Sequence, residues 1–186
     1  SLEIFCLVSS AYLHDVGVII EEEQPTKYAE IRDKHHAKSV TFLRSKSEEL
    51  GLDPLEAFII GTICYAHRPQ VDLSSIHSIV AVGRYKVRIR FLSAILRLAD
   101  SLDIDFRRSQ IDIERQESWK IHQAISGVNF EPGRRRIQVC FVNYPEQISE
   151  EIIRDFIQTK IKIMDSVYQV LAENGVAYKE LVSVSY

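Results

Sequence analysis

Ala11-Tyr12-Leu13-His14-Asp15-Val16-Gly17 sets an imidazole and a carboxylate side by side in an apolar run. Downstream, Leu96-Arg97-Leu98-Ala99-Asp100-Ser101-Leu102-Asp103 repeats the pattern with a second acid. Burying charge without a partner costs several kcal/mol, so such groups are paired or bound to metal. Between the two stretches lie His35-His36 and Cys64-Tyr65-Ala66-His67-Arg68. Imidazoles and carboxylates together are the ligands of a catalytic divalent cation that keeps an open position.

Working outward, residues 2–14 carry apolar residues at helical spacing and end at the His-Asp pair. A polar loop with Pro25 follows, then a predicted helix over 33–50, stopped by Gly51. Asp53-Pro54 supplies an N-cap and a first-turn proline for a helix to His67, closed by Pro69. Residues 71–84 are irregular, and 86–102 reads as one long helix. His67 shares a helix face with Ile60, Ile63 and Cys64, and Asp100 lies at the edge of the stripe of Leu92 and Leu96. His36 lines up with Val40 and Leu43, and His35 with Ser39 and Phe42. Three helices thus aim ligand-type side chains inward.

After Ile104 the texture changes. Residues 111–114, 120–125 and 136–142 read as strands, with a turn signal at Glu131-Pro132-Gly133. Ser149 caps a helix to 173, which Asn174-Gly175 ends, and 177–185 reads as a closing strand. The expected fold is mainly α: a helical bundle over 1–107, followed by a small α+β appendage over 108–186.

A net charge of −3, from 23 basic and 26 acidic residues, argues against a broadly basic nucleic-acid surface. The run Arg84 to Arg90 reads as a solvated helix start, and Arg134-Arg135-Arg136 as a hairpin-end cluster. Cys6, Cys64 and Cys140 are odd in number and form no CxxC pair, so buried free thiols in a reducing, cytoplasmic setting are expected. The apolar opening lacks a basic flank and is too short to span a bilayer, so no membrane role is expected. The chain opens without Met and already in helical register, which suggests a piece of a longer protein; a homo-oligomer is the other arrangement considered.

Leu13-His14-Asp15-Val16-Gly17 resembles the signature of the HD superfamily of metal-dependent phosphohydrolases. The segments 32–39, 65–68 and 96–104 follow in that family's order and most resemble the HD-CE type; they are also similar to the C-terminal HD domain of exopolyphosphatase/guanosine pentaphosphate phosphatase proteins. The resemblance implies an HD-domain helical bundle over about residues 5–110. It implies His14 and Asp15 as the name-giving ligand pair, Asp100 as the last ligand, and His35 or His36 with His67 as the histidines of two-metal members. The cofactor would be one or two divalent ions (Mn, Fe, Mg or Zn), with Asp15 placed to bridge a pair. Such ions acidify a bound water and polarise a phosphoryl oxygen. Arg68, Arg97 and Lys34 stand near ligands in sequence and could hold phosphate oxygens, arginine through its bidentate fork. The family usually has a further metal-binding His on the preceding helix, and residues 1–13 contain none.

The expected function is hydrolysis of a nucleotide or related small phosphoester. A metal-dependent nuclease is the first alternative, which net acidity disfavours. A non-enzymatic HD module that senses a ligand or links partners is the second.

Overall fold

The structure, a computed structural model, describes residues 1–19, 28–104, 121–141, 149–176, 178 and 180–185. By contacts the chain divides into two units, Ser1–Arg97 and Leu98–Tyr186. The division falls inside a helix, ahead of the expected boundary after residue 107.

In the first unit, α1 (Leu2–Leu13) is capped by the Ser1 side chain and leads through a tight turn at His14-Asp15 into the short α2 (Val16–Ile19). Helix α3 (Tyr28–Ser45) begins one turn earlier than the sequence predicts and also ends earlier. Its early stop has a local cause. The Ser45 and Ser47 hydroxyls donate to the carbonyls of Phe42 and Arg44, competing with helix continuation. A turn then runs to Gly51, whose φ of 68° suits glycine. Helix α4 (Pro54–Ala66) starts with the expected cap: Asp53 accepts from the amides of Leu55 and Glu56, and Glu56 accepts from Asp53 N–H.

Helix α4 is the core element. Ile59, Ile60, Ile63, Cys64 and Ala66 are fully buried, as are Cys6 and Ser10 of α1 and Leu43 of α3. Both elements pack against α4. Ser10 donates to Cys6 O, and the Cys64 thiol points to Ser10 O. Burial pushes the Cys64 thiol up to about 12 and that of Cys6 to about 11, so both stay protonated. Among the described residues, Leu2–Ile19 is long and apolar enough to cross a membrane. Within the domain, however, Glu3 of that stretch accepts two bonds from the Arg88 guanidinium, at 2.9 and 2.7 Å.

The expected helix over 86–102 is corrected at its start. Val80–Val82 (β1) and Tyr85–Val87 (β2) pair antiparallel around Gly83, whose φ is 57°. The alternation Tyr85-Lys86-Val87 is a strand signal, with Val87 buried and its neighbour exposed. Helix α5 (Ile89–Leu102) begins only after it. The basic run is structural: Arg88 pairs with Glu3, and Arg90 donates to the carbonyls of Ile76 and Ser74.

Arg97, expected to grip phosphate, is corrected likewise. It is 2% exposed. Its Nε and Nη2 donate to Ala66 O at 3.0 and 2.6 Å, and Nη2 also donates to Val71 O at 2.6 Å. It thus satisfies the carbonyl end of α4, where a cation is favoured. Burial lowers its pKa to about 10, partly offset by Asp72, so it stays charged at neutral pH. Arg97→Lys loses the fork and is expected to cost about 2–4 kcal/mol, since an orphaned buried carbonyl costs about 1–3. Urea unfolding at neutral pH measures it.

In the second unit, residues 121–124 are helical and not a strand. Ile121 and Ala124 are the buried pair, an i, i+3 spacing that only a helix puts on one side. Strands β3 (Ile125–Glu131) and β4 (Arg136–Phe141) pair antiparallel through a 3₁₀ turn at Pro132–Arg134. Helix α6 (Glu150–Glu173) connects β4 to β5 (Glu180–Ser185), which pairs parallel to it. Ile137, Val139 and Phe141 of β4 are fully buried, as are the Ile153, Ile157, Val167 and Leu171 positions of α6 to within 8%. The strand expected over 111–114 lies outside the described residues.

Candidate metal centre

Three elements of the first unit converge on the turn at His14-Asp15. Asp15 Oδ1 lies 3.0 Å from His35 Nε2 and 3.7 Å from His67 Nε2, and its Oδ2 lies 3.4 Å from His14 Nε2. The His67 ring sits 5.0 Å from that of His14 and 5.1 Å from that of His35. His35 and His67 are buried, whereas Asp15 is half exposed. The centre therefore opens to solvent through its carboxylate.

Hydrogen bonding fixes what these rings present. Nδ1 of His14, His35 and His67 faces the main-chain carbonyl three residues earlier, that of Ala11, Arg32 and Cys64 respectively. A carbonyl only accepts, so each Nδ1 carries the proton and a neutral ring presents the Nε2 lone pair. The His35 and His67 Nε2 atoms are 3.1 Å apart. Two lone pairs at that distance, beside a carboxylate, repel unless a cation or proton lies between them. Asp15, His35 and His67 offer ligand atoms all within 4.8 Å of one another. The donor set fits a divalent ion with borderline nitrogen and oxygen preference. Burial alone would raise the Asp15 pKa. In the protonated form of the His14 and His35 rings, when no ion takes their Nε2 atoms, Nε2–H bonds to Asp15 and the ring charges overcome it and hold the carboxyl well below the usual range.

The turn is held by groups that the sequence reading did not single out. Ser39 is fully buried on α3. Its hydroxyl donates to His14 O at 2.8 Å and accepts from Gly17 N–H at 2.9 Å, bracketing the His-Asp pair. A Cβ on Gly17 would lie 2.1 Å from His35 O, so only glycine lets α2 approach α3 this closely. The available signal was Ser39 itself, a polar residue one turn after His35 on the inward face. Ser39→Ala is expected to cost about 1–3 kcal/mol, the desolvation of a stranded amide and carbonyl. Urea unfolding in EDTA measures this, and manganese titration is expected to show weaker binding.

Of the two neighbouring histidines it is His35 that faces Asp15; placing His36 among the ligands is corrected. Its ring lies 5.8 Å from His35 and 5.1 Å from Tyr65, outside the group that Asp15 gathers. A step of one residue turns a helical side chain by about 100°. Burial lowers the His36 pKa, with repulsion from His35 and Arg68 adding to it and Asp33 opposing. Lys34 is exposed on α3, and Arg68 is half-buried just past the end of α4. Asp100 stands one turn beyond Arg97 on α5, half-buried, in the second unit.

Fold and centre together define a helical domain built around a His-Asp cluster that could hold a metal ion, the HD type. The HD-CE family model matches residues 1–171, and the chain belongs to that family. The match runs through both units; the likeness to the exopolyphosphatase domain forms no part of it. No curated protein and no solved structure matches the chain.

Proposed function

We propose that the protein is a metal-dependent phosphohydrolase acting on a nucleotide or related small phosphoester. One observation carries the reading: the buried Nε2 atoms of His35 and His67 stand 3.1 Å apart beside the Asp15 carboxylate. Asp15, His35 and His67 would hold a divalent ion (Mn, Fe, Mg or Zn), with His14 at its edge. A bound ion would acidify a water and polarise a phosphoryl oxygen. The chain's own contribution is orientation. The carbonyls of Ala11, Arg32 and Cys64 fix the imidazole tautomers, and Ser39 fixes the turn that carries Asp15. The open side of Asp15 admits substrate, and Arg68 supplies a cation for its phosphate oxygens. A cytoplasmic setting agrees with the free, buried Cys6 and Cys64.

The test is elemental analysis of the purified protein, with hydrolysis assays on a panel of nucleotides and phosphoesters under each metal and under EDTA. Metal-dependent turnover of a small phosphoester is expected. Salt-sensitive cleavage of single-stranded oligonucleotide would instead identify a nuclease. Metal uptake with no turnover would identify a sensing or partner-binding module.

A further inference from the structure

His36 and Arg68 are left over once the metal centre is assembled. His36 Nδ1 is buried and accepts or donates no hydrogen bond of acceptable geometry. The Asp33 main-chain carbonyl, one turn earlier, is its nearest acceptor and makes at most a weak, poorly aligned hydrogen bond. Arg68 Nε is likewise buried without a partner. Buried polar atoms are nearly always satisfied, and an orphan calls for a specific explanation such as a missing ligand. For a guanidinium the shortfall is larger, since its charge is also unmatched. Among the described residues no carboxylate pairs with Arg68, although His67, its neighbour in the chain, lies 3.7 Å from Asp15. His36 and Arg68 act on each other electrostatically, so they share a neighbourhood. Tyr65, one turn before Arg68 on α4, lies against the His36 ring at 5.1 Å and is 39% exposed, which leaves this neighbourhood open on one side.

We infer that Arg68 and His36, walled by Tyr65, form an oxyanion subsite beside the metal centre that takes a second phosphate of the substrate. A planar guanidinium suits a phosphate through parallel N–H bonds, and an imidazole N–H adds a third donor from the other helix. His36 stands on α3 and Arg68 just past the end of α4, and the two helices pack together, so the subsite is preformed. It is set apart from the metal ligands by the step from His35 to His36, 5.8 Å between rings. A substrate whose scissile phosphate lies at Asp15 would therefore need a second anionic group to reach Arg68. Linked phosphates, as in a nucleoside diphosphate, provide one, and a monophosphate does not. As a substrate anchor the subsite rests on the phosphohydrolase reading; as an anion site it does not.

The experiment is calorimetric titration of the full chain with inorganic pyrophosphate, in EDTA at low salt. Wild type is expected to bind. Arg68→Gln is expected to weaken binding tenfold or more, Arg68→Lys to fall between, and His36→Gln to weaken it about threefold. Arg84→Gln, which removes a remote surface cation, is expected to change nothing. Melting curves confirm that each variant is folded. Equal binding by wild type and Arg68→Gln, or binding only when manganese is added, would overturn the subsite. Pyrophosphate binding in EDTA by a protein that takes up no metal would leave the subsite standing and remove the phosphohydrolase reading.

Discussion

Gly17→Ala is expected to destabilise the protein by roughly 3 kcal/mol, the upper end for overpacking, and to abolish manganese binding. The added methyl would meet His35 O at 2.1 Å, Ser39 N at 2.8 Å and His35 C at 2.9 Å. All three obstacles are main chain of a packed helix, so no side chain can swing aside. Helix α2 must then lift from α3, which breaks the Ser39 bracket and moves Asp15 away from His35. Gly133→Ala provides the contrast. No atom lies within 4 Å of the Cβ it would add, and its φ is not positive. A surface change of that kind is expected to stay within about 0.5 kcal/mol. Urea unfolding of both variants, with the slope checked for constancy, measures the difference.

Asp15→Ala has the second large effect, and it appears as a lost response. Manganese at a hundred times its dissociation constant should stabilise the native wild type by about 2.7 kcal/mol. For a chain of this size that raises Tm by roughly 5–10 °C. In Asp15→Ala the shift is expected to vanish, together with any metal-dependent turnover. Without metal the variant should still fold, because the carboxylate is 49% exposed and its removal leaves no sealed cavity. The apo cost has a sign in pH. The native Asp15 carboxyl titrates below its unfolded value, so its contribution is present above the ordinary carboxylate range and fades as acid protonates it. Wild type and variant should therefore converge in acid. An equal manganese shift in both proteins would rule Asp15 out as a ligand.

Much of this was legible in the residues. The Asp53-Pro54 start of α4 and the Ser149 cap are local devices, and the structure places them as read, whereas α3 stops at Ser45, ahead of the expected stop at Gly51. The inward aim of His67 followed from helical spacing against Ile60 and Ile63, whereas spacing left His35 and His36 open, because His36 aligns with the apolar Val40 and Leu43 and His35 with Ser39 and Phe42. What failed did so where short-range signals compete. Tyr85-Lys86-Val87 alternates like a strand but leads into a helix, and the helical reading extended backward over it. Residues 120–125 carry apolar residues at 121, 124 and 125, a short run that fits strand or helix, and burial of Ile121 with Ala124 goes with a helical turn over 121–124. Arg97 illustrates a different limit. Its sequence position beside Asp100 suggested a ligand grip, while its partners are carbonyls more than twenty residues away, at Ala66 and Val71. Long-range pairing of that sort leaves no periodic trace. Ser39 was hidden for a related reason, since a serine on an apolar face does not declare which two backbone groups it joins.

The Gly17 amide, buried and bonded to the Ser39 hydroxyl at 2.9 Å, gives the centre a built-in reporter. Its proton cannot exchange with solvent until the His14-Asp15 turn parts from α3. Its exchange rate in deuterium oxide therefore measures how often the ligand cluster comes apart while the rest of the domain stays folded. A cation bridging Asp15, His35 and His67 would tie the same two elements together and slow that one proton well beyond its neighbours. The opening frequency of the site could thus be followed by nuclear magnetic resonance, independently of any substrate.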